Sequence, residues 1–381
     1  MNADIEAFLQ GTGPVLCVDI GNGTQDALLA RPGLPCENWP RLVLPAPARD
    51  VARRIRDLAL QRRNVWLFGG NMGGGCSRAV LEHVEAGLAV AATASAGQAL
   101  HDDPAVVRAM GVALAERCPD GSVPVRLGDF SAEAWTLRLG QLGLPRPNLL
   151  LAAAQDHGLH GQRNREGRMR LWERLLARTD APECWIYVDV PPVLTRLAQL
   201  QADTGGPVAD TGTAVLLGAL SEPSIRERCD REGITVLNAG NGHTVAALLF
   251  KGRVRALYEH HTGMREPGKV LEDLAALRRG TLDGDEVRCT GGHGAVHAGD
   301  FSPGEFPDRG TGEDSGTWIL GPRREAYRGA GMFAAPHGDM MLAGCLGLLW
   351  GWAARQRADP AAVATADIFD GTEPATTGGG S

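Results

Sequence analysis

VLCVDIGNGTQDALL (15–29) and, much later in the chain, VLNAGNGHTVAALL (236–249) are two spellings of one element. With Asp19 set against Asn238, Gly21 falls on Gly240, Asn22 on Asn241 and Gly23 on Gly242, and apolar residues flank both turns. Each copy reads as a buried strand ending in an acidic or amide side chain, then Gly-Asn-Gly, then a second strand. Glycine in such a turn permits tight backbone and lets N–H groups close around an anion. One Gly-Asn-Gly turn is an ordinary hairpin connection. Two copies with matched flanks predict two related half-domains whose turns face a single phosphate chain from opposite sides.

The pair of turns resembles the phosphate loops of the actin, Hsp70 and sugar-kinase superfamily, closest to the actin spelling D-x-G-x-G followed by D-x-G-x-G-x-T. The resemblance implies an α/β fold of duplicated actin-like ATPase (ribonuclease H-like) domains with a nucleotide cleft between them, and ATP and Mg²⁺ as cofactors. It implies that Asp19 faces the Mg²⁺-bound phosphates and that Gly21, Asn22, Gly23 and Thr24 complete the first loop. Asn238, Gly240, Asn241, Gly242, His243 and Thr244 would form the second. The second loop departs from the family by opening on Asn238, one negative charge fewer beside the metal.

In that family two helices rich in small residues join the halves. DTGTAVLLGAL (210–220) and GDMMLAGCLGLL (338–349) occupy their places, with Ala214, Gly218, Gly344 and Gly347 available for a close crossing and Gly218 and Gly344 expected at its nearest point. Gly291-Gly292, after a strand expected over 287–289, stands where the resemblance puts the adenosine-binding turn. Asp210 opens the first joining helix, where family members keep the group that orients water or deprotonates an acceptor; it is equally suited to be an N-cap. Asp156, ending the strand 149–154, is the second candidate base, with Gln155 beside it. The implied organisation is a first half over 1–213, a second half over 214–337, a connecting helix over 338–360 and a tail or linker over 361–381.

Composition sets the outer limits. A chain of 381 residues exceeds one typical core and is expected to hold two domains. A formal charge of −7 excludes the phosphate-neutralising mode of nucleic-acid binding. The Arg runs over 53–63 and 163–178 alternate with Asp, Glu and Leu at helical spacing and read as solvated helix faces. Eight cysteines, at 17, 36, 76, 118, 184, 229, 289 and 345, include no C-x-x-C pair. That excludes a zinc ribbon and the C-x₃-C-x₂-C cluster motif of radical enzymes. The N-terminus has no signal-peptide pattern, and the longest apolar stretch, 340–354, is too short to span a bilayer. The expectation is a cytoplasmic protein with reduced thiols and no membrane partner.

Other catalytic signatures are missing. There is no G-x₄-G-K-[ST], since the lysines are only Lys251 and Lys269; no G-x-G-x-x-G, since Asp26 stands where the third glycine would be; and no G-x-S-x-G. Strands alternate with helices, and Gly-rich turns recur at expected strand ends, where open α/β sheets bind ligands: GGNMGGG (69–75), QDHG (155–158), EHHTG (259–263) and TGGHG (290–294). Eight histidines, His157, His160, His243, His260, His261, His293, His297 and His337, stand in or beside such turns. Imidazole is the commonest metal ligand, but no H-E-x-x-H occurs, so any ligand set would have to be assembled in three dimensions.

Taken together, these motifs over 12–355 are similar to an uncharacterised bacterial and archaeal family labelled "putative pyruvate formate-lyase activating enzyme". The label implies a glycyl-radical activase, whose cysteine-ligated cluster this sequence lacks, so the resemblance is kept for the fold and not for that activity. It implies an enzyme that hydrolyses ATP or transfers its γ-phosphate to a small-molecule substrate or a partner enzyme. Two alternatives stand beside it: a non-catalytic nucleotide or metabolite sensor, motivated by Asn238, and a metal-dependent enzyme lined by the His-Gly turns.

Overall fold

The computed structural model describes residues 3–159 and 164–358; His160 and the tail expected over 361–381 lie outside the described residues. Strand β1 (Val15–Ile20) turns at Gly-Asn-Gly and returns as β2 (Thr24–Ala30), antiparallel, with Asp19 opposite Asp26. All six residues of β1 are buried because both faces are covered. Val15 and Cys17 pack towards Leu346 and Leu349 of the last helix, while Leu16, Val18 and Ile20 pack towards Trp135, Leu139 and Leu197. That double covering is why the strand reads as a continuous apolar run.

After β3 (Arg41–Pro45) the chain leaves this sheet. β4 (Asn64–Gly69), β5 (Val90–Ala92), β6 (Val112–Leu114) and β7 (Ser122–Leu127) form a separate parallel sheet in the order β6-β5-β4-β7. Its core includes Ile55 and Leu58 of the helix Pro47–Leu60 and Val80 of the helix Ser77–Glu85. This inserted layer was not expected. The chain returns through β8 (Leu149–Ala154), parallel to β1, then β9 (Ile186–Tyr187) and β10 (Val208–Ala209), giving a first sheet ordered β3-β2-β1-β8-β10-β9.

The second sheet is built from β11 (Ile234–Ala239), β12 (His243–Phe250), β13 (Arg253–His261), β14 (Gly294–His297), β15 (Thr317–Leu320) and β16 (Met332–Phe333), in the order β14-β13-β12-β11-β15-β16. Set β3-β2-β1-β8-β10 against β13-β12-β11-β15-β16 and the topology is the same. Three antiparallel strands are followed by two parallel ones added beside the first. The fold is therefore a duplicated ribonuclease H-like, actin-like α/β architecture, with β9 and β14 as extra edge strands.

Two helices cross between the sheets. Thr211–Ser221 is buried from Gly212 to Ser221, and Ala343–Ala358 packs across it. A Cβ on Gly218 would collide with the carbonyl of Ala343, and one on Gly347 with the carbonyl of Ala214. The crossing thus rests on Gly218 and Gly347. Gly344, expected there, packs instead against the Asp19 side chain. Gly347→Leu is expected to cost at least about 1–3 kcal/mol through overpacking. A urea midpoint lowered at unchanged slope would show it.

Two local expectations change. Residues 287–289 are helical, inside Gly284–Cys289, because the Asp283 side chain accepts the Asp285 N–H at 2.8 Å and caps a helix. β9 is confined to Ile186–Tyr187, since Pro182–Trp185 forms a 3₁₀ turn before it. The final helix starts at Ala343 rather than 338, because Gly338 takes a φ of +81° in the turn Pro336–Gly338. Among the described residues no helix is long and apolar enough to cross a membrane.

Candidate functional site

Both Gly-Asn-Gly hairpins end at one cavity of about 540 Å³, closed by the Gly-rich turn after β4 and by the start of the final helix. The two turns close alike: Gly21 N–H donates to the Thr24 carbonyl at 2.9 Å and Gly240 N–H to the His243 carbonyl at 3.0 Å. They also face each other reciprocally. A Cβ on Gly23 would lie 3.1 Å from Asn241 Nδ2, and one on Gly242 3.8 Å from Asn22 Nδ2. Thr24, Asn238, Gly240 and His243 line the same space with them.

The first hairpin carries the charge. Asp19 is 7% exposed, and its Oδ1 accepts from Thr211 Oγ1 at 2.9 Å. Burial, and then the neighbouring Asp26, push its carboxyl up to about 8. Asp26 accepts from Thr24 Oγ1 at 3.3 Å on one oxygen, while its other oxygen is buried without a partner among the described residues. Burial raises Asp26 to about 7. At the matching positions the second hairpin has Asn238 and Val245, which are also cross-strand partners. Two carboxylates facing each other in a buried place, one with an orphaned oxygen, suit a cation. In the sequence Asp26 shows only as the residue that breaks a glycine pattern.

Not every expected residue reaches the cavity. Thr244 is 1% exposed, turned into the second half, with Oγ1 3.1 Å from Thr262 Oγ1. Gly291 and Gly292 end a helix, their N–H groups donating to the carbonyls of Arg288 at 3.0 Å and Val287 at 2.9 Å. The glycine turn that does line the cavity from the end of a second-half parallel strand is Gly321-Pro322, after β15. There φ is +93°, and a Cβ would lie 2.6 Å from Asn238 Oδ1.

Asp210 caps the helix Thr211–Ser221 by accepting from Gly212 N–H at 2.8 Å. Its two oxygens also accept from Arg168 Nη1 at 2.8 Å and Nη2 at 3.0 Å, and it does not line the cavity. Asp156 does line it; its oxygens accept from Gly158 N–H at 2.8 Å and Leu197 N–H at 3.0 Å, and burial raises its carboxyl above the usual range. Two arginines were missed. Arg168, within a run read as solvated, is 3% exposed and joins Asp210 to Glu259, its Nε donating to Glu259 Oε2 at 2.9 Å. Arg196 reaches the cavity wall, bound to Asp129 at 2.6 and 3.1 Å and to the Gln155 carbonyl at 2.7 Å.

Beside the second turn, histidines converge. The rings of His157, His243 and His293 lie 4.8–5.0 Å apart, with His261 4.6 Å from His243. Glu259 Oε1 accepts from Gln155 Nε2 at 2.7 Å and sits 2.8 Å from His243 Nδ1. Burial alone would raise Glu259, but Arg168 and the His243 contact hold it well below the usual range. Burial drives His157 far down, His293 to about 3 and His261 to about 4, so these imidazoles are neutral. The other Gly-turn histidines among the described residues stand apart from this group: His260 is 3.1 Å from Thr290 Oγ1, and His297 Nε2 donates to the Leu277 carbonyl at 2.9 Å. The cysteines are all free, and among the described residues the grouped metal donors are the His and Glu side chains, not thiols.

Residues 72–326 match the model of the family described as "Putative pyruvate format-lyase activating enzyme (DUF1786)". No curated protein matches the sequence. Among solved structures, the ethanolamine utilization protein EutJ from Carboxydothermus hydrogenoformans is similar at 10% identity over 88% of each chain, with a TM-score of 0.30. A Ppx/GppA family member from Aquifex aeolicus is similar at 8% identity over 70% of this chain and 61% of that one, with a TM-score of 0.24. The ROK hexokinase from Thermus thermophilus is similar at 15% identity over 91% of this chain and 100% of its own, with a TM-score of 0.28. The fold assignment rests on the strand order above, not on these likenesses.

Proposed function

The chain belongs to that family, and we propose that it is an ATP-binding enzyme that hydrolyses ATP or passes its γ-phosphate to a small molecule or partner protein. One observation carries the reading: two matched Gly-Asn-Gly turns face each other across one cavity, with the paired carboxylates Asp19 and Asp26 on one side. The turns offer backbone N–H groups to phosphate oxygens from both halves. Asp19 and Asp26, cross-strand neighbours on the first hairpin, would hold the cation. Mg²⁺ bound with the nucleotide would neutralise charge developing on the phosphates. Arg196, paired with Asp129, lies on the wall, and the Gly321-Pro322 turn lines the same cavity from the second half. Asp156 is the candidate proton acceptor, ahead of Asp210, whose oxygens are committed to Arg168 and the helix cap.

Thermal unfolding with ATP·Mg²⁺ tests the reading. Saturation at about 100 times Kd should add roughly 2.7 kcal/mol of stability. Asp19→Asn should remove that gain. A wild-type melting curve unmoved by saturating ATP·Mg²⁺ would overturn ATP binding. Binding without any phosphate release or transfer would leave the sensor alternative, which the absence of a carboxylate at Asn238 favours.

The same variant has a pH signature. A carboxyl whose folded pKa is raised binds more protons folded than unfolded, so stability falls as pH rises. Without nucleotide, the contribution of Asp19 is present below its unfolded value of about 4 and is lost as pH climbs through about 8. Asp19→Asn should therefore be the more stable protein at alkaline pH and show a flatter pH profile. Equal slopes for the two proteins would contradict the assigned environment.

A further inference from the structure

Three imidazoles and a carboxylate from four separate segments meet beside the cavity, and three of their ring nitrogens find no partner among the described residues. Among the described residues His157 Nε2 and both ring nitrogens of His293 are buried without a hydrogen-bond partner, and His293 is 2% exposed. Buried polar atoms are nearly always paired, so three orphaned nitrogens in one place need a cause. At His243 the balance also fails. Its Nδ1 stands 2.8 Å from Glu259 Oε1 and 2.6 Å from Gln155 Nε2. A proton on Nδ1 suits the carboxylate and opposes the amide N–H; without the proton the preference reverses. Lone pairs converging with too few protons are what side chains present to a cation.

We propose that His157, His243, His293 and Glu259 form a site for a divalent transition ion of the zinc class, held by three nitrogens and one carboxylate oxygen. One donor atom from each residue lies within 4.8 Å of the other three. Zinc bonds of about 2.0–2.2 Å place tetrahedral ligand atoms roughly 3.3–3.6 Å apart, so the set closes by ring rotations on the order of 1 Å. Neutral imidazole with one carboxylate suits zinc, iron or nickel, whereas magnesium and calcium want all-oxygen surroundings. Supporting contacts are in place: Arg168 Nε on Glu259 Oε2 at 2.9 Å and Gln155 Nε2 on Oε1 at 2.7 Å fix the carboxylate.

The ligands come from both halves. His157 follows β8 of the first sheet, while His243 opens β12, Glu259 lies in β13 and His293 precedes β14 of the second. The ion ties the halves together beside the second glycine turn, on side chains distinct from Asp19 and Asp26. His157 and His243 face the cavity, so the ion would enter the site from it.

The test needs no nucleotide, which separates it from the ATP reading. Full-length protein stripped with a chelator is titrated with Co²⁺. The expected result is uptake of one equivalent with the intense visible bands of four- or five-coordinate cobalt, displaced by Zn²⁺. Zn²⁺ should also raise the melting temperature, and Mg²⁺ should do neither. His157→Ala, at a side chain 34% exposed, should fold normally by circular dichroism and lose the bands. His293→Ala should lose them too, and His297→Gln should keep them. No stoichiometric uptake by the wild type overturns the site, as does uptake with unchanged bands in both ligand variants.

Discussion

Arg168→Met is expected to destabilise the protein by about 3–5 kcal/mol, the usual cost of stripping the partner from buried charges. Its guanidinium serves Asp210 with two hydrogen bonds, Glu259 with one and the Asp156 carbonyl with one at 2.7 Å. Asp210 and Glu259 are each almost fully buried and belong to opposite halves. Methionine keeps the packing over Trp172, whose ring lies 4.6 Å from the guanidinium carbon, so the loss is electrostatic. Denaturant unfolding of wild type, Arg168→Met and the double variant with Asp210→Asn measures it. If the pair is coupled as described, the double variant loses clearly less than the sum of the two singles. Strict additivity would refute the bridging role.

Asp156→Asn is expected to lower turnover of ATP by about 10²–10⁴-fold while ATP·Mg²⁺ still shifts the melting curve. The carboxylate lines the cavity and is more basic than an ordinary Asp because it is buried. Asparagine must turn its amide towards the N–H of Gly158 or Leu197, so a stability loss of about 1–3 kcal/mol should accompany the change. Catalytic and structural effects separate in the readout. A catalytic Asp156 gives a fall in kcat with KM nearly kept, whereas a merely structural one gives a lower melting point with kcat retained in the folded fraction. Asp210→Asn should resemble the second pattern.

What was legible in the sequence follows from how local each determinant is. The β1–β2 and β11–β12 hairpins were readable because a glycine turn and its flanking strands lie within one short stretch. That repetition pointed to two related half-domains, and the matching strand orders of the two sheets bear it out. Asp26 escaped notice because its partner Asp19 is supplied by strand register, not by spacing in the chain. Arg168 was hidden in a charged helix. Only its phase gives it away: Arg168, Trp172 and Leu175 share the inward stripe at i, i+4 and i+7, and the acids it meets lie at positions 210 and 259. Gly291-Gly292 misled because a glycine pair ends helices as readily as strands. The parallel inserted sheet left no repeat to read, since its pairing is wholly long-range.

Asn22 and Asn241 sit reciprocally, each against the glycine turn of the other half. A contact in which each turn meets its own counterpart is the kind a two-fold axis generates between identical subunits. One half with such a turn could build this cavity as a homodimer, but identical copies would repeat every residue, ringing the phosphates with both Asp pairs. Fusing the halves frees them from that symmetry. Here the second copy has Asn238 and Val245 where the first has the acids, which gives the cavity a polarity: a pair of carboxylates beside the first turn and no matching pair beside the second. A ligand entering such a cavity has a single favourable direction, so the loss of a charge that first reads as a defect in the motif also sets which way round the cargo lies.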